Sequence, residues 1–144
     1  MPDLTLNHAR TIIDAALTAA RDDTLSPVAV VVLDAGARPI ASAREDGAGF
    51  LRLDIATAKA VGAIGMGYGT RDLAKRAQGN PGFYAALYAV SDGQMVPSPG
   101  GVLVRNGAGQ IIGAVGISGD TGENDERCAV AGLQAAGLAF DTGA

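Results

Sequence analysis

Apolar residues near the start of the chain return every three or four places: Leu6, Ala9, Ile12, Ile13, Ala16, Leu17 and Ala20. That spacing draws one stripe along a helix and predicts a helix from about Leu6 to Arg21. Thr5 stands where an N-cap would accept from the free N–H groups. The rhythm then changes. Val28-Ala29-Val30-Val31-Val32-Leu33 is apolar at every position and mostly β-branched, as in a strand covered on both faces. Asp34-Ala35-Gly36-Ala37 supplies a turn, and Pro39 to Arg44 reads as the return strand of a hairpin. Pro39 belongs near the start of that strand, where a missing N–H does least harm.

A second helix is expected from Leu51 to Met66, with Leu51, Ile55, Ala58, Gly62 and Gly65 on its packed side. Small residues there let another backbone approach, at a cost in helix propensity. Thr70 is positioned to cap a short helix, Arg71 to Ala77. Asn80-Pro81 then reads as N-cap and first helical residue of another, with Phe83, Leu87 and Val90 inward. Val102 to Arg105 and Gln110 to Ser118 form a second hairpin around Asn106-Gly107-Ala108-Gly109. One face of its last strand, Ile112, Ala114, Gly116 and Ser118, is small, so a helix or a second subunit is expected to press there. A last helix, about Gly122 to Ala139, buries Cys128, Ala131, Ala135 and Leu138. Two hairpins among segregated helices make an α+β fold on an antiparallel sheet.

The 144 residues fit one domain, residues 1–144, with no internal repeat or linker. With 48% hydrophobic residues but only 4% aromatic, and 21 glycines, the core has to be built from small aliphatic side chains and close backbone contacts. The net charge is −4 and the cations are scattered, which excludes nucleic acid as a main partner. No run of 18 apolar residues is present, so no membrane span is expected. Met1-Pro2-Asp3-Leu4-Thr5 lacks the pattern of an export signal, and the lone Cys128 has no partner within the chain. Both point to the cytoplasm.

Several residues carry candidate chemistry, each beside a plainer reading. Gly65-Met66-Gly67-Tyr68-Gly69 and Gly116 to Gly122 resemble phosphate loops, although only the second joins a strand to a helix; tight turns explain both. His8 is the only histidine, which excludes a histidine triad or a multi-histidine metal site within one chain. It is a candidate axial haem ligand or an exposed residue of the first turn. Cys128 reads as a buried, inert thiol. Met66 and Tyr68 are ligands on paper and packing residues by position. Asp120, Glu123, Asp125 and Glu126 crowd the start of the last helix, where they complement its dipole; Asp125 and Glu126 are also metal candidates for a hard cation or ferric iron. Arg44, Arg52 and Lys59 gather near one sheet edge, either to bind carboxylates or as a solvated surface beside Asp46 and Asp54. Pro97-Ser98-Pro99-Gly100-Gly101 is stiff and then open, so a ligand can touch its backbone or the chain simply turns there.

Taken in order, Leu4-Thr5-Leu6, the Val28–Gly36 run, Arg44-Glu45-Asp46-Gly47, Asp54-Ile55-Ala56-Thr57-Ala58-Lys59-Ala60, Pro99-Gly100-Gly101-Val102 and Gly113 to Gly119 with Asp125-Glu126 resemble the GlcG/HbpS family of haem-binding or haem-degrading-like proteins. The resemblance implies a profilin-like α/β sandwich, a central antiparallel sheet of about five strands flanked by helices, assembled as a homo-oligomer of four or eight copies. It implies a small-molecule ligand, with haem as the candidate cofactor, and marks Lys59, Pro99, Gly100 and Gly101 as pocket residues. Arg44 and Arg52 join them on chemistry. Three functions stay open at this point: a binding protein for haem or another carboxylate-bearing molecule; an enzyme of small-metabolite breakdown using Lys59, Asp125 or Glu126 in acid–base work; and an accessory protein for a metabolic enzyme.

Overall fold

A computed structural model describes residues 4–144; Met1, Pro2 and Asp3, on which the reading of a missing export signal partly rests, lie outside them. The chain runs α1 (Leu6–Asp22), β1 (Ala29–Asp34), β2 (Pro39–Arg44), α2 (Leu51–Met66), α3 (Thr70–Gly79), α4 (Pro81–Val90), β3 (Gly101–Arg105), β4 (Ile111–Ser118), α5 (Gly122–Ala135) and β5 (Ala139–Asp141). The five strands form one sheet in the order β2-β1-β4-β3-β5, antiparallel at every pairing. This is the α+β sandwich expected.

Alternation along the strands sorts the core into two layers. Val30, Val32, Val102, Val104, Val115 and Ile117 face α1 and α5, meeting Ala9, Ile12, Ile13, Cys128, Ala129 and Leu133. Val31, Leu33, Leu103 and Ala114 face α2, meeting Ala56, Ala60 and Ala63. Val104 pairs with Gly113 and Arg105 with Ile111, so Ile112 is an extra residue in the ladder. Such a bulge re-aims its neighbours. Ile112 therefore joins the α1/α5 layer and Ile111 the α2 layer, opposite to simple alternation.

The small face of β4 is pressed by α2, as its composition suggested. A Cβ on Gly116 would overlap the Ala56 carbonyl, so helix and strand meet backbone to backbone. The packed side of α2 matches the expected one only in part: Ala58 and Gly62 are buried as expected, together with Ala56, Lys59, Ala60 and Ala63, whereas Leu51 is 54% exposed and Gly65 is exposed. Bulky residues drew the expectation; close approach selected the alanines.

Four further expectations fail for identifiable reasons. Thr70 does not cap α3 but lies inside it, with Gly69 as N-cap. No residue of α4 is buried, and Phe83 and Val90 face solvent. The last helix stops at Ala135, because Gly137 (φ +70°) takes the left-handed position of a Schellman motif. There the Leu138 N–H donates to the Leu133 carbonyl and Gly137 N–H to that of Gln134. That stop frees Ala139–Asp141 to pair with β3 as the fifth strand. Finally, Ala131 and Ala135 lie off the buried side of α5, which is instead Asp125, Glu126, Cys128, Ala129, Gly132 and Leu133.

Candidate functional site

The C-terminal end of β4 gathers most of the chemistry. Lys59, from the middle of α2, is 3% exposed. Its Nζ donates to the Ile117 carbonyl (2.9 Å) and to Asp125 Oδ2 on α5 (3.0 Å), which ties the two helical layers together past the end of the sheet. Burial lowers the Lys59 pKa, while the Asp125 carboxylate pulls it back up and the nearby Arg52 charge lowers it further. The other Asp125 oxygen accepts from the Asp120 N–H (3.0 Å).

Gly100 and Gly101 are shaped by this lysine. A Cβ on Gly100 would stand 2.8 Å from Lys59 Nζ and from the Ile117 carbonyl oxygen; one on Gly101 would overlap the Lys59 carbonyl. Gly100 also has φ +122°, open to glycine and strained for other residues. The Thr70 hydroxyl accepts from the Gly101 N–H (2.8 Å) and lies 3.3 Å from the Gly101 carbonyl. Pro99 packs against the start of α5, where a Cβ on Gly122 would lie 3.0 Å from its ring. Lys59, Pro99, Gly100 and Gly101 are thus brought together, with the lysine sealed inside.

Arg44 and Arg52 are placed differently. Arg52 reaches Ser118 Oγ (3.4 Å) and forms no ion pair among the described residues. Arg44, exposed at the end of β2, makes no ion pair and no side-chain hydrogen bond among the described residues. It lines an open cleft of about 450 Å³ with Arg21, Pro27, Glu45 and Asp46. There Glu45 is taken by Arg21 (2.9 Å) and by the Val28 N–H (2.9 Å).

The acidic start of α5 is occupied by cations of the protein itself. Arg71 grips Glu126 with two nitrogens (2.7 and 3.0 Å), as Lys59 grips Asp125. Asp120 accepts from Asn124 Nδ2, the Thr121 N–H and the Ser26 N–H, which hold its carboxyl down to about 2. Among the described residues no group of three or more His, Cys, Asp or Glu could hold a metal ion. Carboxylates also occupy the N–H groups of Asp120 and Thr121, where an anion would sit in a phosphate loop. His8 completes a capping box: its N–H donates to Thr5 Oγ1, and its Nδ1 accepts from the Thr5 N–H (3.1 Å). A backbone N–H only donates, so Nδ1 acts as the acceptor in this cap. Cys128 is buried, and burial first, then Asp125 and Asp23, push its thiol up to about 11. Tyr68 stacks under Arg76 (4.5 Å) and meets the Tyr84 hydroxyl (3.3 Å).

The partnerships of Thr70 and Arg71 were missed from sequence. Both sit where a helix start was expected, and the cap reading hid them.

Against known families, residues 4–134 match the model described as haem degrading protein HbpS-like. The chain belongs to the HbpS-like family. Solved structures agree with that placement. The haem complex of PduOC shares 27% identity at a TM-score of 0.82, over 90% of this chain and 92% of PduOC. Klebsiella pneumoniae ORFY, of family DUF336, shares 28% at 0.84, over 92% and 90%. HbpS shares 30% at 0.78, over 91% and 88%. No curated protein sequence matches significantly. No helix among the described residues of this HbpS-like chain is long and apolar enough to cross a membrane.

Proposed function

We propose that this HbpS-like chain, acting as one domain, is a small-ligand-binding protein for haem or another carboxylate-bearing molecule. The observation that carries the reading is the likeness, over nine-tenths of both chains, to a relative known in complex with haem. The ligand lies at the end of the sheet where Arg44, Arg52, Lys59, Pro99, Gly100 and Gly101 gather. Arg44 and Arg52 supply free cations, and the sealed lysine with its glycines supplies a rigid floor. The working form is a homo-oligomer of four or eight copies in the cytoplasm. The uncovered apolar residues of α4 and the single reduced cysteine support this.

Titration with haemin, followed at the Soret band, tests it. A saturable, stoichiometric shift is expected, and it should survive His8→Ala because the ring is committed to its cap. Absence of a saturable shift would remove haem.

A second reading, an enzyme using acid–base chemistry, has one observation in its favour: Lys59 is buried and its pKa lowered beside a paired carboxylate. A bound ligand recovered chemically unchanged after prolonged incubation, by mass spectrometry, would count against this reading.

A further inference from the structure

Resting on the ligand-binding reading, we propose that Arg44 and Arg52 are the two jaws of a carboxylate clamp, which takes a molecule presenting two carboxylates beside an apolar plate. Register brings the jaws together. Arg44 pairs with Ala29 across β2–β1, and Ala29 pairs with Ser118 across β1–β4. Directly opposed residues point to the same face of a sheet, so Arg44 and Ser118 leave on one face, roughly 10 Å apart over two strand spacings. Arg52 comes down from α2 onto that face and reaches the Ser118 hydroxyl. Both guanidiniums therefore belong to one row at one end of the sheet.

The charge pattern selects the ligand. Near this row, Lys59 is consumed by Asp125 and Arg21 by Glu45, each at about hydrogen-bond distance. Among the described residues Arg44 and Arg52 form no ion pair, and their forks have the geometry that grips carboxylates bidentately. Asp46, on the wall of the Arg44 cleft, offsets part of this field. The apolar requirement comes from Phe50 and Leu51, 77% and 54% exposed in the turn that precedes Arg52 and at the start of its helix. A plate laid on them turns its acids towards the two arginines.

Porphyrin propionates and a free aromatic diacid share this chemistry, and three probes separate them: haemin, its dimethyl ester and isophthalate. Each is titrated into the wild type and into Arg44→Gln and Arg52→Gln, whose folding is verified by circular dichroism. Haemin binding weakened about tenfold or more by either substitution, and weakened as much in the wild type by esterification, is the expected result. Variants that bind haemin as the wild type does would overturn the clamp and leave the ligand-binding reading standing. Isophthalate bound without haemin, and lost in both variants, would uphold the clamp and remove haem. Neither probe bound by the wild type would overturn both.

Discussion

Two sets of charges lie at the same end of the sheet and behave oppositely. Lys59 with Asp125, and Arg71 with Glu126, are matched partners from different helices; the first pair is all but sealed, with side chains 4% and 1% exposed. Arg44 and Arg52 stand within the same neighbourhood without an ion pair among the described residues. A buried charge survives only when paired, so the first set is bound up in holding α2, α3 and α5 around the sheet. The second set contributes little to folding and is free to meet something from outside. Residue type does not distinguish the two sets; pairing does.

The comparison breaks most visibly at Lys59. Lys59→Met should cost about 3–5 kcal/mol, since Asp125 is left as an uncompensated buried charge. Urea unfolding measures this, and adding Asp125→Leu should restore much of the loss. A single variant as stable as the wild type would show that the pair holds nothing. Next comes Gly101→Ala, whose methyl group meets the Lys59 backbone; thermal unfolding should show a loss of roughly 1–3 kcal/mol. Arg71→Ala should cost about 1 kcal/mol or less, because that pair is partly solvated, and added salt should shrink the difference from wild type. Arg44→Gln and Arg52→Gln should change stability by under about 0.5 kcal/mol.

The smallest effect concerns acid. The Asp120 carboxyl is held at about 2, below its ordinary 3.8, chiefly by the Asn124 amide and then by backbone N–H groups. A depressed acid stabilises the fold fully above its unfolded value and loses that contribution as pH falls through the folded one. Stability should therefore fall between about pH 4 and pH 2, and the fall should be shallower in Asp120→Asn. Identical acid limbs would exclude the effect.

How far the molecule was legible in its sequence depends on what kind of contact fixed each part. The bounds of β2 and α2 came out at Pro39–Arg44 and Leu51–Met66, because proline, β-branched runs and helical spacing are local signals. The strand Ala139–Asp141 did not, since three residues become a strand only through the edge that β3 offers them. Gly137 was the available sign that α5 ends early. Phe83 and Val90 misled because apolar spacing reports that a face wants covering, without saying that this chain covers it. At the site, Lys59 and the glycine pair could be named, but the roles of Asp125 and Glu126 could not. Carboxylates at a helix start look alike on paper, and only the arrival of Lys59 and Arg71 from 66 and 55 residues away separates a salt bridge from a metal ligand.

The backbone-to-backbone seat of α2 on Gly116 has a consequence for how the sequence can drift. On the α1/α5 side a valine exchanged for isoleucine can be absorbed, because neighbouring side chains rotate and refill the space. Where α2 crosses Gly116, no side chain intervenes to absorb anything. A scan of every substitution should therefore read as two halves of one sheet: a permissive aliphatic half, and a half in which one added methyl group at Gly116 lifts a whole helix.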